Sequence, residues 1–335
     1  MKILIIHTAF IGDIILSTPL ISKLRDKYPE SNITYLTIPD GKTILKNNPK
    51  LDKIISYDKK GKDRGFISLW KLIKNLRKEK YDLVFSLHRY LRSSLIAYGT
   101  GAPIIIGYNV APASFLFSEK ILYDKSKHEV ERLLSFVNYK EGQRYEIELY
   151  PSIKDREKVT ELIGNFQNRK LVVIAPGSKW ATKRWPVDYF NEVIENLSKN
   201  NDILLAVIGG KEDSKLNLTI PNNILDFRGK TSLLESVAII ERSTLLLSND
   251  SSPIHMGSAF SNVRILGIFG PTIKKFGFFP WSTNSKVYEI ENLECRPCGL
   301  HGSSECPRGH FKCMMEIHPQ IIIDDIKRYI NEKNK

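Results

Sequence analysis

The residues best suited to chemistry in this chain stand directly behind apolar runs of strand length. Asp13 follows "MKILII" in the stretch "HTAFIGDIILSTPL", behind Gly12 and at the start of an apolar helical pattern. An Asp there serves as an N-cap, worth about 1 kcal/mol, or faces a ligand crevice and takes a proton from a hydroxyl as general base. A second group, "APGSKWATKRWP" (175–186), sets small residues, hydroxyls and cations before a helix opened by Pro186. Ser178, Thr182, Lys183 and that helix N-terminus make an anion cradle. The alternative is a solvated loop with Trp185 packed as a hydrophobic staple. In "SNDSSPIHMGSAF" (248–260), Asp250, Ser251 and Ser252 precede a helix opened by Pro253; Asp250 there binds sugar hydroxyls or caps the helix. "IGGKED" adds a Gly-Gly turn with Glu212 in position to meet a ribose.

Other chemistries find less support. No G-x-G-x-x-G follows the first strand and no G-x-x-x-x-G-K-[ST] occurs, which weighs against a dinucleotide dehydrogenase or a P-loop enzyme. No Ser/His/Asp or Cys/His arrangement can be assembled, and His255 is expected on a packed helix. Cys295, Cys298, Cys306 and Cys313 form C-x2-C-x7-C-x6-C. The first spacing suits tetrahedral zinc and the second pair is wider than in the usual ribbons, so zinc, disulfides and free thiols stay open.

A chain of 335 residues suits two domains of roughly 150 residues each. Hydrophobic content of 42% and charged content of 26% are those of a soluble globular protein. No apolar run reaches the roughly 18–20 residues that span a bilayer. "MKILIIHTAFIGD" lacks the cleavage site of a secretory signal, and a cytoplasmic location is expected. The net charge of +13 is uneven: residues 1–150 hold 25 basic and 16 acidic residues, and residues 42–80 alone hold 13 and 4. Such a patch suits a polyanion, whether nucleic acid, an anionic membrane surface or a phosphorylated substrate. The compositional alternative is an AT-rich genome that writes Lys often.

Groups at strand ends need strands and helices to hold them there. Apolar patterning predicts strands at "KILIIH", "NITYLTIP", "KIISY" and "YDLVFSL", with helices over 14–28, near 41–48 and over 66–80. "SLIAYGTGAPIIIGY" then reads as helix, turn and strand. The pattern restarts after "ELYPSIKDREKV". Strands "KLVVIAPGS", "ILLAVIGG", "TLLLSND" and "VRILGIFG" alternate with helices from Pro186, over "LLESVAIIERS" and from "PIHMGSAF". A Cys-rich loop and a helix, "IIIDDIKRYINEK", close the chain. The alternation implies an α/β fold of two successive doubly wound parallel sheets, with a boundary near residues 145–168.

"IIHTAFIGDIILSTPLISKLRDKYP", "LHRYLRSSLIAYGTGAPIIIGY", "IAPGSKWATKRWP", "VIGGKED", "LLLSNDSSPIHMGSAF", "GIFGPT" and "CRPCGLHGSSECPRGHFKCMMEI", in this order, resemble the ADP-heptose:lipopolysaccharide heptosyltransferases. These are family-nine glycosyltransferases of the GT-B fold, and the Cys-rich tail looks most like the heptosyltransferase II branch, where that pattern is common without a metal in the mechanism. The resemblance implies two Rossmann-like domains facing across a cleft. The N-terminal, acceptor-binding one would span 1–155, the nucleotide-sugar-binding one 166–320, and a C-terminal helix 321–335. It implies inverting, metal-independent transfer of a heptose from ADP-heptose to the lipopolysaccharide inner core, with no cofactor.

Carried over residue by residue, the family's base falls on Asp13, its phosphate-binding Lys on Lys183 and its strand-end acid on Asp250. The family usually has Gly where this chain has Ser252, which bears on the identity of the donor. Lys59, Lys60, Lys62, Arg64, Arg89 and Arg92 are expected to meet an acidic lipid A-core acceptor. The same patch favours the anionic inner-membrane surface, hence peripheral association, with no nucleic acid partner. Two alternatives stand beside this: a GT-B transferase using another nucleotide sugar for a cell-surface glycan, and a non-catalytic nucleic-acid-binding protein. The second explains the charge but not the acids at two strand ends.

Overall fold

Strands as uniformly apolar as "ILII" and "LVVIA" must be covered on both faces, and they become the inner strands of all-parallel sheets. The computed structural model of the protein describes residues 1–139, 144–166 and 169–332. The chain divides into two units, Met1–Tyr150 and Pro151–Lys335.

In the first unit β1 (Lys2–Ile6), α1 (Ile11–Leu16), α2 (Thr18–Lys27), β2 (Asn32–Thr37), α3 (Pro39–Leu45) and β3 (Lys53–Ser56) come first. Next are α4 (Phe66–Lys78), β4 (Leu83–Ser86), α5 (Leu91–Gly99), β5 (Ile104–Tyr108), β6 (Glu119–Ile121) and α6 (Glu129–Leu134). The six strands are parallel in the order β3-β2-β1-β4-β5-β6.

The second unit runs α7 (Ile153–Ile163), β7 (Lys170–Ala175), α8 (Val187–Ser198), β8 (Ile203–Val207), β9 (Leu225–Asp226) and α9 (Leu233–Glu241). It continues with β10 (Leu245–Asn249), α10 (Ser252–Gly257), β11 (Arg264–Ile268), β12 (Ser285–Tyr288), α11 (Lys312–Met315) and α12 (Pro319–Glu332). Its sheet is also parallel, in the order β12-β11-β10-β7-β8-β9. Counted from its own first strand, each sheet has the doubly wound order 3-2-1-4-5-6. Strand order reverses between β1 and β4 in one unit and between β7 and β10 in the other. Ligands of such sheets bind beyond the carboxyl ends at that reversal. The residues just after these four strands are therefore the ones to inspect.

Several elements differ from the sequence expectation. The helix over 14–28 is two helices that break at Ser17, whose hydroxyl donates to the Ile14 carbonyl at 2.7 Å; Pro19 lies in the first turn of α2, where its missing N–H costs nothing. The edge strands β6, β9 and β12 have two to four residues each, too short for any periodic pattern. Helix α7 belongs with the second unit, where Lys158 reaches Glu235 on α9 at 2.7 Å. The terminal helix α12 is also part of that unit's core: Ile322, Ile323, Ile326 and Ile330 are fully buried and cluster with Trp185 and Phe190.

Candidate active site

In the second unit the loop after β7 and the loop after β10 are tied together. Asn249, the last residue of β10, donates to the Pro176 carbonyl at 2.7 Å and accepts the Trp185 backbone N–H at 3.1 Å. The Trp185 ring is buried edge-on against Phe190 and its indole N–H donates to the Ile317 carbonyl at 2.9 Å. Trp185 thus fixes the end of the loop from the core side, as the staple alternative anticipated, while the rest of the loop stays at the strand ends.

Lys183 and Asp250 meet there. Lys183 Nζ is 2.6 Å from Asp250 Oδ2, with side chains only 13% and 7% exposed. The Thr272 hydroxyl donates to the same oxygen at 2.5 Å. Asp250 therefore does not cap α10. The cap position is Ser251, which makes no capping bond through its side chain and instead donates to the Gly177 carbonyl at 3.2 Å. An ammonium has three N–H donors, so one spent on Asp250 leaves Lys183 oriented and still able to bind an anion. Ser252 opens α10 and is partly buried.

Beside the pair, Thr182 ties the loop to Ser303 through its side chain. Thr182 Oγ1 donates to the Ser303 carbonyl at 3.0 Å and accepts the Ser303 N–H at 2.8 Å. Ser178 is buried, and its carbonyl accepts from Arg184 Nε at 2.8 Å. Glu212 stands in solvent paired with Lys215 at 2.7 Å. The acid that organises the Gly-Gly turn is the next residue, Asp213, which accepts the Gly210 N–H at 2.7 Å. His255 is buried against this site; burial first, and Lys183 as well, pull its pKa down to about 4, opposed by Asp250. Its Nδ1 has no hydrogen-bond partner among the described residues.

In the first unit Asp13 is the third residue of α1, not its cap. The cap position is Phe10, whose backbone N–H donates to Asp13 Oδ2 at 3.2 Å. The carboxylate lies at a helix start that favours its negative charge. Around it the strand ends carry a polar network. The Tyr35 hydroxyl bonds Ser17 Oγ at 2.7 Å and His7 Nδ1 at 3.2 Å. Burial above all, with the Asp13 charge behind it, pushes the Tyr35 hydroxyl pKa up. Lys59 Nζ donates to the Thr8 carbonyl at 2.6 Å, and Thr8 Oγ1 lies 3.4 Å from His88 Nδ1.

Burial lowers Lys59, with Lys60 and Arg92 adding to the effect. His88 is pulled down to about 3 by burial, then by Lys59 and Arg89; His7 goes to about 3 by burial, then by His88 and Lys59. Both imidazoles are therefore neutral beside the cations. Arg89 stacks on the Tyr123 ring at 3.9 Å, and Asp13 is one of the charges felt by the Tyr123 hydroxyl.

Of the sequence-predicted cations, Lys59, Lys60, Arg89 and Arg92 gather at this strand-end cluster. Lys60 lies 5.8 Å over the Phe10 ring. Lys62 and Arg64 occupy exposed positions on the turn before α4, where Asp58 accepts the Gly61 and Lys62 N–H groups at 2.9 and 3.3 Å. Sequence alone does not single out His7, Tyr35, His88, Tyr123 and Thr272. Only His7 and His88 carry a local signal, a histidine one or two positions beyond a strand.

The four cysteines are free thiols, Cys313 buried. Cys298 Sγ donates to the Cys295 carbonyl at 3.1 Å. Among the described residues no group of three or more His, Cys, Asp or Glu is arranged to hold a metal ion.

Residues 69–307 match glycosyltransferase family 9 (heptosyltransferase). Over its whole length the chain is 26% identical to all of a lipooligosaccharide heptosyltransferase 2 from Campylobacter jejuni. The glycosyl transferase family 9 structure from Veillonella parvula superimposes with a TM-score of 0.87 at 23% identity, covering 99% of this chain and 97% of that one. The E. coli ADP-heptose lps heptosyltransferase II structure gives 0.80 at 19% identity, covering both chains fully. These neighbours share the GT-B α/β fold of two doubly wound units. With the family match spanning well over half its length, from α4 to the Cys-rich loop, the chain belongs to glycosyltransferase family 9, the heptosyltransferases.

Proposed function

We propose that this glycosyltransferase moves a heptose from ADP-heptose to an inner-core hydroxyl of lipopolysaccharide by a single inverting displacement without a metal. The observation that carries the proposal is the buried Lys183–Asp250 pair at the strand-order reversal of the second sheet, the position where such sheets bind nucleotides. In this mechanism Asp13 accepts the proton of the acceptor hydroxyl as its oxygen attacks the anomeric carbon. The bond from that carbon to the diphosphate oxygen breaks, and ADP departs. Lys183, held by Asp250, offsets the charge growing on the diphosphate. Ser178, Thr182, Ser251 and Ser252 shape the donor loop around it, and Glu212 meets the donor ribose. Lys59, Lys60, Arg89 and Arg92, with Lys62 and Arg64 on the adjoining turn, bind phosphates and sugar carboxylates of a lipid A-core acceptor on an anionic membrane surface.

Asp13→Asn tests the assignment cleanly, because the amide oxygen can still accept the Phe10 N–H. The expected result is an unchanged thermal shift with ADP and a fall in transfer of about 10²–10⁴-fold, the usual worth of a general base. Near-normal turnover would reduce Asp13 to a helix-start residue. A thermal shift with UDP or GDP but not ADP would instead replace the donor while keeping the site.

A further inference from the structure

Helix α4 has two unlike sides. Leu69, Leu72, Ile73 and Leu76 face the unit's core, at the i, i+3, i+4, i+7 spacing of one helical face. On the opposite side Phe66, Ile67 and Trp70 are 89%, 73% and 61% exposed. Lys71, Lys74, Arg77 and Lys78 continue that outer side and are exposed as well. At about 100° per residue, all seven fall within one arc of roughly 140°. Lys74 Nζ sits 5.1 Å over the Trp70 ring. The helix starts abruptly at Gly65, whose φ of +99° is one that side chains rarely adopt, so the two aromatics and Ile67 stand on the first two turns. The adjoining helix α5 packs tightly beside it, with Gly99 against Ile73, and exposes Leu91, Leu95 and Tyr98.

Large apolar side chains exposed together on a folded unit mark a docking surface. Its occupant follows from charge. The apolar turns sit inside a stretch of 13 basic and 4 acidic residues, and two of those acids, Asp58 and Asp63, are engaged by backbone N–H groups of the turn that precedes α4. An apolar tip ringed by cations fits the boundary between acyl chains and anionic headgroups. We propose that Phe66, Ile67 and Trp70 insert into an anionic lipid bilayer, with Lys71, Lys74, Arg77 and Lys78 at the headgroups. This rests on the lipid-borne acceptor of the proposed function and adds the residues that bring the enzyme to it. No helix among the described residues is long and apolar enough to cross a membrane, so the contact is one of surface insertion.

The probe is a vesicle of phosphatidylcholine with about one third phosphatidylglycerol, against pure phosphatidylcholine. Trp70 emission should shift to the blue on the anionic vesicles and be quenched by brominated acyl chains; Trp70→Phe should remove that signal while binding persists. The triple variant Phe66→Ser, Ile67→Ser, Trp70→Ser should lose vesicle co-sedimentation at least tenfold with an unchanged thermal midpoint. Lys71→Gln and Lys74→Gln should each weaken anionic-vesicle binding roughly fivefold. Undiminished binding of the triple variant, or vesicle binding with no change at Trp70, would overturn the proposal. So would self-association that buries Trp70 without lipid. Transfer to a soluble acceptor fragment separates the two levels. If the triple variant keeps it but fails on vesicle-borne acceptor, the surface stands; if wild type inserts but never transfers heptose, the catalytic assignment alone falls.

Discussion

Asp250 illustrates how much one buried acid decides. Its carboxylate is shared by an ammonium and a hydroxyl, both within hydrogen-bond distance of one oxygen. Removing one partner of a buried ion pair leaves an uncompensated charge and costs about 3–5 kcal/mol. Removing a neutral hydrogen-bond donor costs about 1–3 kcal/mol. Lys183→Met should therefore destabilise the protein more than Thr272→Val, read as urea midpoints at pH 7.5, and should also lose ADP binding. Equal midpoints for the two variants would mean that Asp250 is solvated and the pair contributes orientation only.

At the scale of elements, close approach sets what the strands can carry. Gly107 on β5 lies under the Phe117 ring, and an added Cβ would come within 2.2 Å of a ring carbon. Phe117 belongs to the first unit's core with Leu4, Ile6 and Val84, so it has little room to yield. Gly107→Ala should cost about 1–3 kcal/mol by overpacking. Adding Phe117→Leu should return part of that loss, a coupling expected of residues in contact. A double-variant cycle with no coupling would show that the backbone of β5 moves instead.

For the molecule as a whole, two buried histidines and one partly buried one give stability a common dependence on pH. His7 and His88 are lowered to about 3 and His255 to about 4, chiefly by burial. Between those values and the unfolded value near 6.5 the unfolded chain binds protons that the folded one does not. Stability therefore rises with pH through that window and levels off above it. At pH 5 each such histidine would cost up to about 2 kcal/mol relative to pH 7.5. Glu129, raised by burial, acts in the opposite sense. Urea midpoints at the two pH values should differ, and His88→Asn should shrink the difference. A variant with the full wild-type difference would show that His88 takes up its proton in the folded state.

The α/β class, the alternation of elements and the strand-end positions of Asp13, Lys183 and Asp250 were legible in the sequence. Buried parallel strands are continuous apolar runs, and the Gly, Pro and hydroxyl residues behind them mark where each run stops. The partners of those residues were not legible. Lys183 and Asp250 are 67 residues apart, and Lys59 and Thr8 are 51. They meet because β7 lies beside β10 and because the first sheet's order brings the loops after β1, β3 and β4 to one edge. Local patterning carries no record of which strands become neighbours. Pairing, burial and the neutral state of the histidines were decided only when each sheet assembled in its own 3-2-1-4-5-6 order.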